Sequence, residues 1–225
     1  MDSRLELLIT KEKVDILKKK TVLVLGIGGV GGFVVEALAR CFVGTIILVD
    51  YDKVDISNIN RQIIALHSTI GKEKTEVLKE RILDINPNCT VITHSCFYGK
   101  ENKDILFDRK IDFVVDACDS LDSKKTIIKE CLNRKIPILS SMGTGNKLNP
   151  SGFLIEDIRK TSYDPIAKRL RKWVQQEKIK EKIPVLYSKE EPIKHEGTTI
   201  ASISFVPSSA GLKIAGYVVL ELIKD

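Results

Sequence analysis

Short apolar runs alternate along this chain with longer segments whose apolar residues recur every three or four positions. Thr21–Leu25 (TVLVL) and Thr45–Val49 (TIILV) are compact and β-branched. Runs of this length bounded by turn residues predict buried strands. Residues 90–93, 111–115 and 136–139 predict three more. Between them, residues 33–42, 72–85 and 123–134 carry helical spacing, and the second of these ends near Asn86-Pro87. Residues 2–18 predict an N-terminal helical segment. Strands alternating with helices predict an α/β fold: a Rossmann-like, doubly wound, mostly parallel sheet with helices on both faces. After Pro150 the alternation weakens. A helix over Pro165–Gln176, a short strand over 183–187 and a final helix over 209–224 make a small C-terminal extension. The apolar run 200–223 reads as strand, loop and buried helix. The chain is expected to form one domain, 1–225, with a nucleotide-binding core in 1–150 and further elements in 151–225. In such a sheet, ligands bind at the carboxyl ends of the strands. Residues 26–31, Asp50, 116–120 and 140–145 should gather there.

Composition changes this picture little. A chain of 225 residues that is 43% hydrophobic can bury a core without disulfides or metals. Polar residues interrupt its most apolar stretch, so no stretch is expected to be long and apolar enough to span a bilayer. The N-terminus lacks a signal-peptide pattern, because charges break every apolar run. A cytoplasmic protein is expected. The five cysteines form no C-x-x-C pair, which predicts reduced thiols and argues against structural zinc. The net charge of +6 hints at a polyanionic partner such as RNA. Lys168, Arg169, Arg171 and Lys172 form the cluster best suited to phosphates, with Trp173 beside them read as core.

The chemistry begins at Gly26-Ile-Gly28-Gly-Val-Gly31, a G-x-G-x-x-G turn between a strand and a helix. Gly26 allows the turn, Gly28 lets the backbone approach a phosphate, and Gly31 lets helix and strand pack closely. Asp50 ends the second strand, where a carboxylate can hold ribose hydroxyls. A dinucleotide site needs little more. Here Asp52 and Val54 follow, then Ser57-Asn58-Ile59-Asn60-Arg61-Gln62, then Gly71-x-x-Lys74. Cations and amides after the ribose carboxylate suit splitting of ATP.

This ordered string resembles the ubiquitin-activating-type superfamily over the first two thirds of the chain. The resemblance implies that Asp50 binds ribose, that Asn58, Arg61 and Gln62 contact phosphates, and that Lys74 neutralises the α-phosphate side. It implies that Asp119, in Asp116-Ala-Cys-Asp119-Ser120, helps hold Mg2+, with Asp116 a strand-end hydrogen-bonding group. In the superfamily an N-terminal arginine from a second subunit reaches ATP, which makes Arg4 the candidate and a homodimer the expected assembly. The superfamily's sulfur-carrier activators also allow a sulfur-relay protein partner.

A second resemblance spans nearly the whole chain. Asn133-Arg-Lys-Ile-Pro137, residues 141–150, Ile155-x-Asp157-Ile158-x-Lys160-Thr161, Asp164-Pro165-Ile166-Ala167 and residues 202–207 are similar to the tRNA threonylcarbamoyladenosine dehydratase family. That family implies activation by ATP of the threonyl carboxylate on a modified adenosine in the tRNA anticodon loop. The carbamoyl nitrogen then closes a ring with loss of water. The cluster at 168–172 would hold tRNA phosphates. The alternative acceptor is the C-terminus of a sulfur-carrier or ubiquitin-like protein.

Overall fold

The computed structural model describes residues 3–197 and 199–224; residue 2 of the expected N-terminal segment lies outside them. That segment forms two helices, α1 (Ser3–Ile9) and α2 (Lys11–Leu17). Thr10 separates them with φ 73, a left-handed conformation that interrupts an α-helix. β1 (Thr21–Leu25), α3 (Gly31–Arg40), β2 (Thr45–Val49), α4 (Lys74–Ile85) and β3 (Thr90–His94) follow. Next come β4 (Phe113–Asp116), α5 (Leu121–Arg134), β5 (Ile138–Ser141), β6 (Phe153–Asp157), α6 (Pro165–Gln176), β7 (Pro184–Ser188) and α7 (Phe205–Leu222).

The seven strands form one sheet in the order β3-β2-β1-β4-β5-β7-β6. All neighbours pair parallel except β6 with β7. Val22 and Val24 join a core under α2, α3, α4 and α7, while Leu23 and Leu25 join one under α5 and α6. Both faces of the sheet are therefore covered, which is why its central strands read as unbroken apolar runs.

The C-terminal third departs from the expected elements. β6, an antiparallel edge strand with Glu156 and Asp157 at its end, lacks the apolar run that marks the buried strands. The strand expected at the start of the 200–223 run is not there; residues 201–203 have no regular structure, and α7 begins at Phe205 instead of 209. Pro207 is accommodated because it falls in the helix's first turn, where its missing N–H costs no intrahelical bond. By length and composition alone, α7 is apolar enough to cross a membrane, contrary to expectation. Half of it is buried, with Val206, Ala210, Ile214 and Val218 inside the core that α3 also lines. Gly211 makes that contact possible, since a Cβ there would meet the Val30 carbonyl oxygen.

Register fixes the working edge. Leu25 lies beside Val49 and Asp116, and Asp116 beside Ser140. The chain leaves β1 towards β2 on one side, while β4 lies on the other. The loops after β1, β2, β4 and β5 therefore open onto one crevice at the point where strand order reverses.

Candidate active site

A cleft of about 420 Å³ occupies that crevice. Gly26, Gly28, Asp50, Asp52, Asn58, Arg61, Gln62, Lys74 and Asp119 all line it, so the sequence-predicted nucleotide residues are brought together, with two exceptions. Gly31 lies just outside, at the start of α3, in its expected packing role: a Cβ there would overlap the Gly26 carbonyl oxygen. Arg4 is exposed on α1, away from the cleft of its own chain.

The glycine turn is held from both sides. Gly26 has φ 81, and its N–H donates to the Val49 carbonyl at 2.8 Å. A Cβ there would lie 2.6 Å from the Cys118 backbone, so glycine is needed on conformational and steric grounds. Gly28 differs. A Cβ there would meet nothing closer than the Gln62 amide nitrogen at 3.5 Å and would stand in the cleft. The protein itself does not require glycine at position 28; a ligand close to the backbone would. No side chain caps the N-terminus of α3; Gly32 N–H and Phe33 N–H donate to the Gly28 and Val30 carbonyls at 2.9 and 3.1 Å, and the positive end of the helix points to the cleft that Gly28, Gly29 and Val30 line.

Asp50 accepts from Ile27 N–H at 2.8 Å on one oxygen and from Asp52 N–H at 3.0 Å on the other. The carboxylate is fixed in orientation, and its remaining lone pairs face the cleft. The segment after β2 doubles back on itself. Asp55 caps a short 3-10 helix by accepting from Ser57 N–H, and the Asn58 side chain accepts from Asp55 N–H. Arg61 donates to the Ser57 carbonyl at 2.8 Å and to Asn60 Oδ1 at 2.9 Å. The Gln62 Oε1 atom is buried with no hydrogen-bond partner in the protein, an arrangement that a bound polar group would relieve. Lys74 N–H reaches the Asp52 carbonyl at 3.1 Å, which returns Lys74 to the end of β2.

Aromatic and acidic groups close the far side. Tyr51 and Phe97 meet edge to face at 5.5 Å between ring centres. Asp52 first, then burial, Asp119 and Asp50, hold the Tyr51 hydroxyl above the usual phenol range; the three carboxylates thus share one negative region. Asp119 is exposed at the cleft wall. Mg2+ commonly takes one or two carboxylates and completes its shell with phosphate oxygens and water. One free carboxylate beside a phosphate site fits that donor set, although no group of three or more His, Cys, Asp or Glu gathers for a metal among the described residues.

Cys96 and Cys118 also line the cleft. Burial and the neighbouring Asp116 push the Cys118 thiol well up, and burial raises Cys96. Neither is poised as a thiolate nucleophile.

The other end of the cleft is built by Met142, Gly143, Thr144, Gly145, Ile166, Ile200 and Ser202. Asp164 organises it. One carboxylate oxygen caps α6 by accepting from Ala167 N–H at 2.8 Å, and the other accepts from Gly143 N–H at 2.9 Å. Nothing in the sequence pattern singled out Ile166 or Ile200 as cleft residues, because their neighbours come from distant loops. Of the basic cluster, Lys168, Arg169 and Lys172 project to solvent from α6, whose first turn carries Ile166. Arg171 departs from the expectation: its guanidinium turns inward and donates to the Thr161 carbonyl at 2.9 Å and to the Thr161 hydroxyl. Trp173 is buried as core. His195 lies outside the cleft, its Nε2 3.1 Å from Asn146 Oδ1.

Known proteins carry the same architecture. The ThiF family profile matches residues 3–224. The tRNA threonylcarbamoyladenosine dehydratase of Bacillus subtilis (strain 168) is 48% identical over 240 residues, covering 99% of this chain and 94% of that protein. The crystal structure of the E. coli tRNA N6-threonylcarbamoyladenosine dehydratase in complex with ATP matches with TM-score 0.92 at 30% identity, over 98% of this chain and 93% of that one. The corresponding AMP complex matches with TM-score 0.93. Since these matches take in nearly every residue that builds the sheet and the cleft, the chain belongs to the ThiF family, among its tRNA threonylcarbamoyladenosine dehydratases.

Proposed function

We propose that this protein dehydrates threonylcarbamoyladenosine in the tRNA anticodon loop, cyclising the modification by ATP-dependent activation of its carboxylate. One observation carries the reading. A phosphate-type glycine turn, cationic and amide side chains, and the loop after β5 share one cleft, in a chain nearly half identical to the Bacillus dehydratase from end to end.

ATP binds with its phosphates over the glycine turn and the N-terminus of α3, and with its ribose on Asp50. Asn58, Arg61, Gln62 and Lys74 orient the phosphates and offset their charge. Asp119 is the residue that would hold Mg2+, which supplies further charge neutralisation on the phosphates. The threonyl carboxylate, presented from the end formed by Gly143, Ile166 and Ile200, attacks the α-phosphorus and expels pyrophosphate. The related E. coli enzyme's complexes with ATP and AMP support an acyl-adenylate and AMP as leaving group. The carbamoyl nitrogen then attacks the activated carbonyl, losing its proton to solvent as the ring closes, and AMP departs with the carboxylate oxygen. Because the nucleophile is tethered to the carbonyl, closure gains the advantage of an intramolecular reaction.

In this reading residues 1–150 serve the nucleotide and 151–225 the tRNA side, where Lys168, Arg169 and Lys172 meet phosphates and Arg171 shapes their helix. The assembly is a homodimer in which Arg4 reaches the partner's ATP. Leu7 and Leu8 on the same helix, 88% and 81% exposed, support a second chain covering α1. A cytoplasmic location follows from the tRNA substrate and the free thiols. No step requires a sulfur-relay partner.

The test is mass spectrometry of nucleosides from threonylcarbamoyl-modified tRNA, incubated with the protein and Mg2+, with and without ATP. Loss of one water only when ATP is present is the expected result. No change, from folded protein that binds ATP, would overturn the tRNA reading and move the acceptor to a carrier protein's C-terminus.

A further inference from the structure

Behind the cleft lies a charged group that the reaction as described does not use. The side chains of Lys124, on α5, and Asp116, at the end of β4, are 0% exposed and paired at 3.1 Å. The ammonium also donates to the Ser141 carbonyl at 2.7 Å. Asp116 accepts in addition from the Ser140 hydroxyl at 2.5 Å and from Cys118 N–H at 3.2 Å.

The partners matter more than the pair. Ser141 ends β5, and the next four residues line the acceptor end. Cys118 precedes Asp119, and its backbone packs directly on Gly26. One buried cation therefore ties together the glycine turn, the Asp119 loop and the acceptor loop. Burying both charges carries a desolvation cost, so such a pair is weak evidence of a contribution to stability. Its bonds instead join the loops that follow the neighbouring strands β4 and β5, both of which line the cleft.

We infer that Lys124 is a positioning residue for the dehydration: through Asp116 and the Ser141 carbonyl it holds the Asp119 loop and the acceptor loop at the spacing the transition state needs. This rests on the proposed tRNA reaction. Lys124 is fully buried and does not line the cleft. The residues that the proposed reading gives to ribose and phosphates, Asp50, Asn58, Arg61, Gln62 and Lys74, all follow β2. Loss of Lys124 should consequently lower kcat and spare ATP affinity.

The test compares K124R, K124M and the double variant D116N/K124M with wild type. The double variant matters because it leaves no charge buried alone and can fold where K124M does not. ATP affinity is read by calorimetry, kcat and KM with modified tRNA, and the folded fraction by thermal melting. The expected result is an ATP Kd within about threefold of wild type in the folded variants. The same variants should show a kcat about 100-fold lower for the double variant, the loss that a misplacement of about 1 Å can cause, with K124R recovering at least part. A double variant that melts like wild type and turns over at the wild-type rate would overturn the inference, as would losses that merely track the unfolded fraction. If wild type itself fails to dehydrate the tRNA, the underlying reading falls and this one with it; if wild type is active and the variants match it, only this one falls.

Discussion

Lys74 Nζ lies 2.8 Å from Asp52 Oδ2, in a pair whose cation is 5% exposed and whose anion is 45% exposed. The two ends of this bond have different prospects. The lysine can leave Asp52 for a phosphate without moving far, whereas Asp52 can turn to water. Lys74→Met should lower ATP-dependent turnover by about 100-fold, the loss typical when one charge-stabilising donor is removed. Asp52→Asn, which keeps the cation, should cost much less. The ratio of the two kcat values decides the matter: equal losses would mean that Asp52 acts on the reaction directly and not only as the resting partner of Lys74.

Gly28 and Gly31 should answer substitution in opposite ways. A Cβ at Gly28 finds room, while one at Gly31 overlaps the Gly26 carbonyl. Gly28→Ala is expected to melt within a few degrees of wild type yet bind ATP about tenfold more weakly, because the added methyl occupies the phosphate approach. Gly31→Ala should instead lower the melting temperature sharply, with backbone displacement as the cause. Calorimetric ATP titration beside thermal denaturation separates the two. A Gly28→Ala protein with unchanged ATP affinity would place the phosphates elsewhere.

The contrast explains what could be read from the chain. The parallel core was legible because β1, β2 and β4 are buried on both faces and their sequences are apolar throughout. The nucleotide half of the cleft was legible because the glycine turn, Asp50, Arg61 and Lys74 lie in an ordered motif. The acceptor half was not, since Ile166 and Ile200 come together only through tertiary packing. Lys124 was hidden for a related reason: a lysine followed directly by Lys125, on a helix that also carries the exposed Lys129, reads as solvated until the sheet closes over it. Arg171 failed in the opposite sense. It belongs by sequence to a basic cluster, but its place on α6 turns it towards Thr161.

Asp119 is exposed, and neither the hydrogen bonds nor the ion pairs found among the described residues include its side chain. Its removal should cost function and not stability. Asp119→Ala and Arg61→Ala are each expected to lower turnover by about 100-fold or more while melting close to wild type. If Arg4 reaches across a dimer, mixing Arg4→Ala with Asp119→Ala chains restores one intact site per heterodimer. Activity of the purified heterodimer above that of either parent is the expected outcome. Heterodimers as inactive as the parents would confine Arg4 to some other role.

The exposed face of α6 makes the sharpest separation between binding and folding. Lys168, Arg169 and Lys172 point to solvent just beyond Ile166 at the cleft mouth, whereas Arg171 is bonded to Thr161. Cations that meet RNA phosphates release counterions, so their number sets the salt dependence of binding. Replacing all three exposed residues by alanine should weaken tRNA binding and flatten the slope of log affinity against log salt by roughly two units, with ATP affinity unchanged. Arg171→Ala should leave that slope nearly intact and instead lower stability by about 1–2 kcal/mol, through its lost hydrogen bonds to the Thr161 segment. Filter binding over a range of salt concentrations, paired with denaturant melts, reads both effects. A triple variant whose salt slope matches wild type would move the tRNA to another face of the protein.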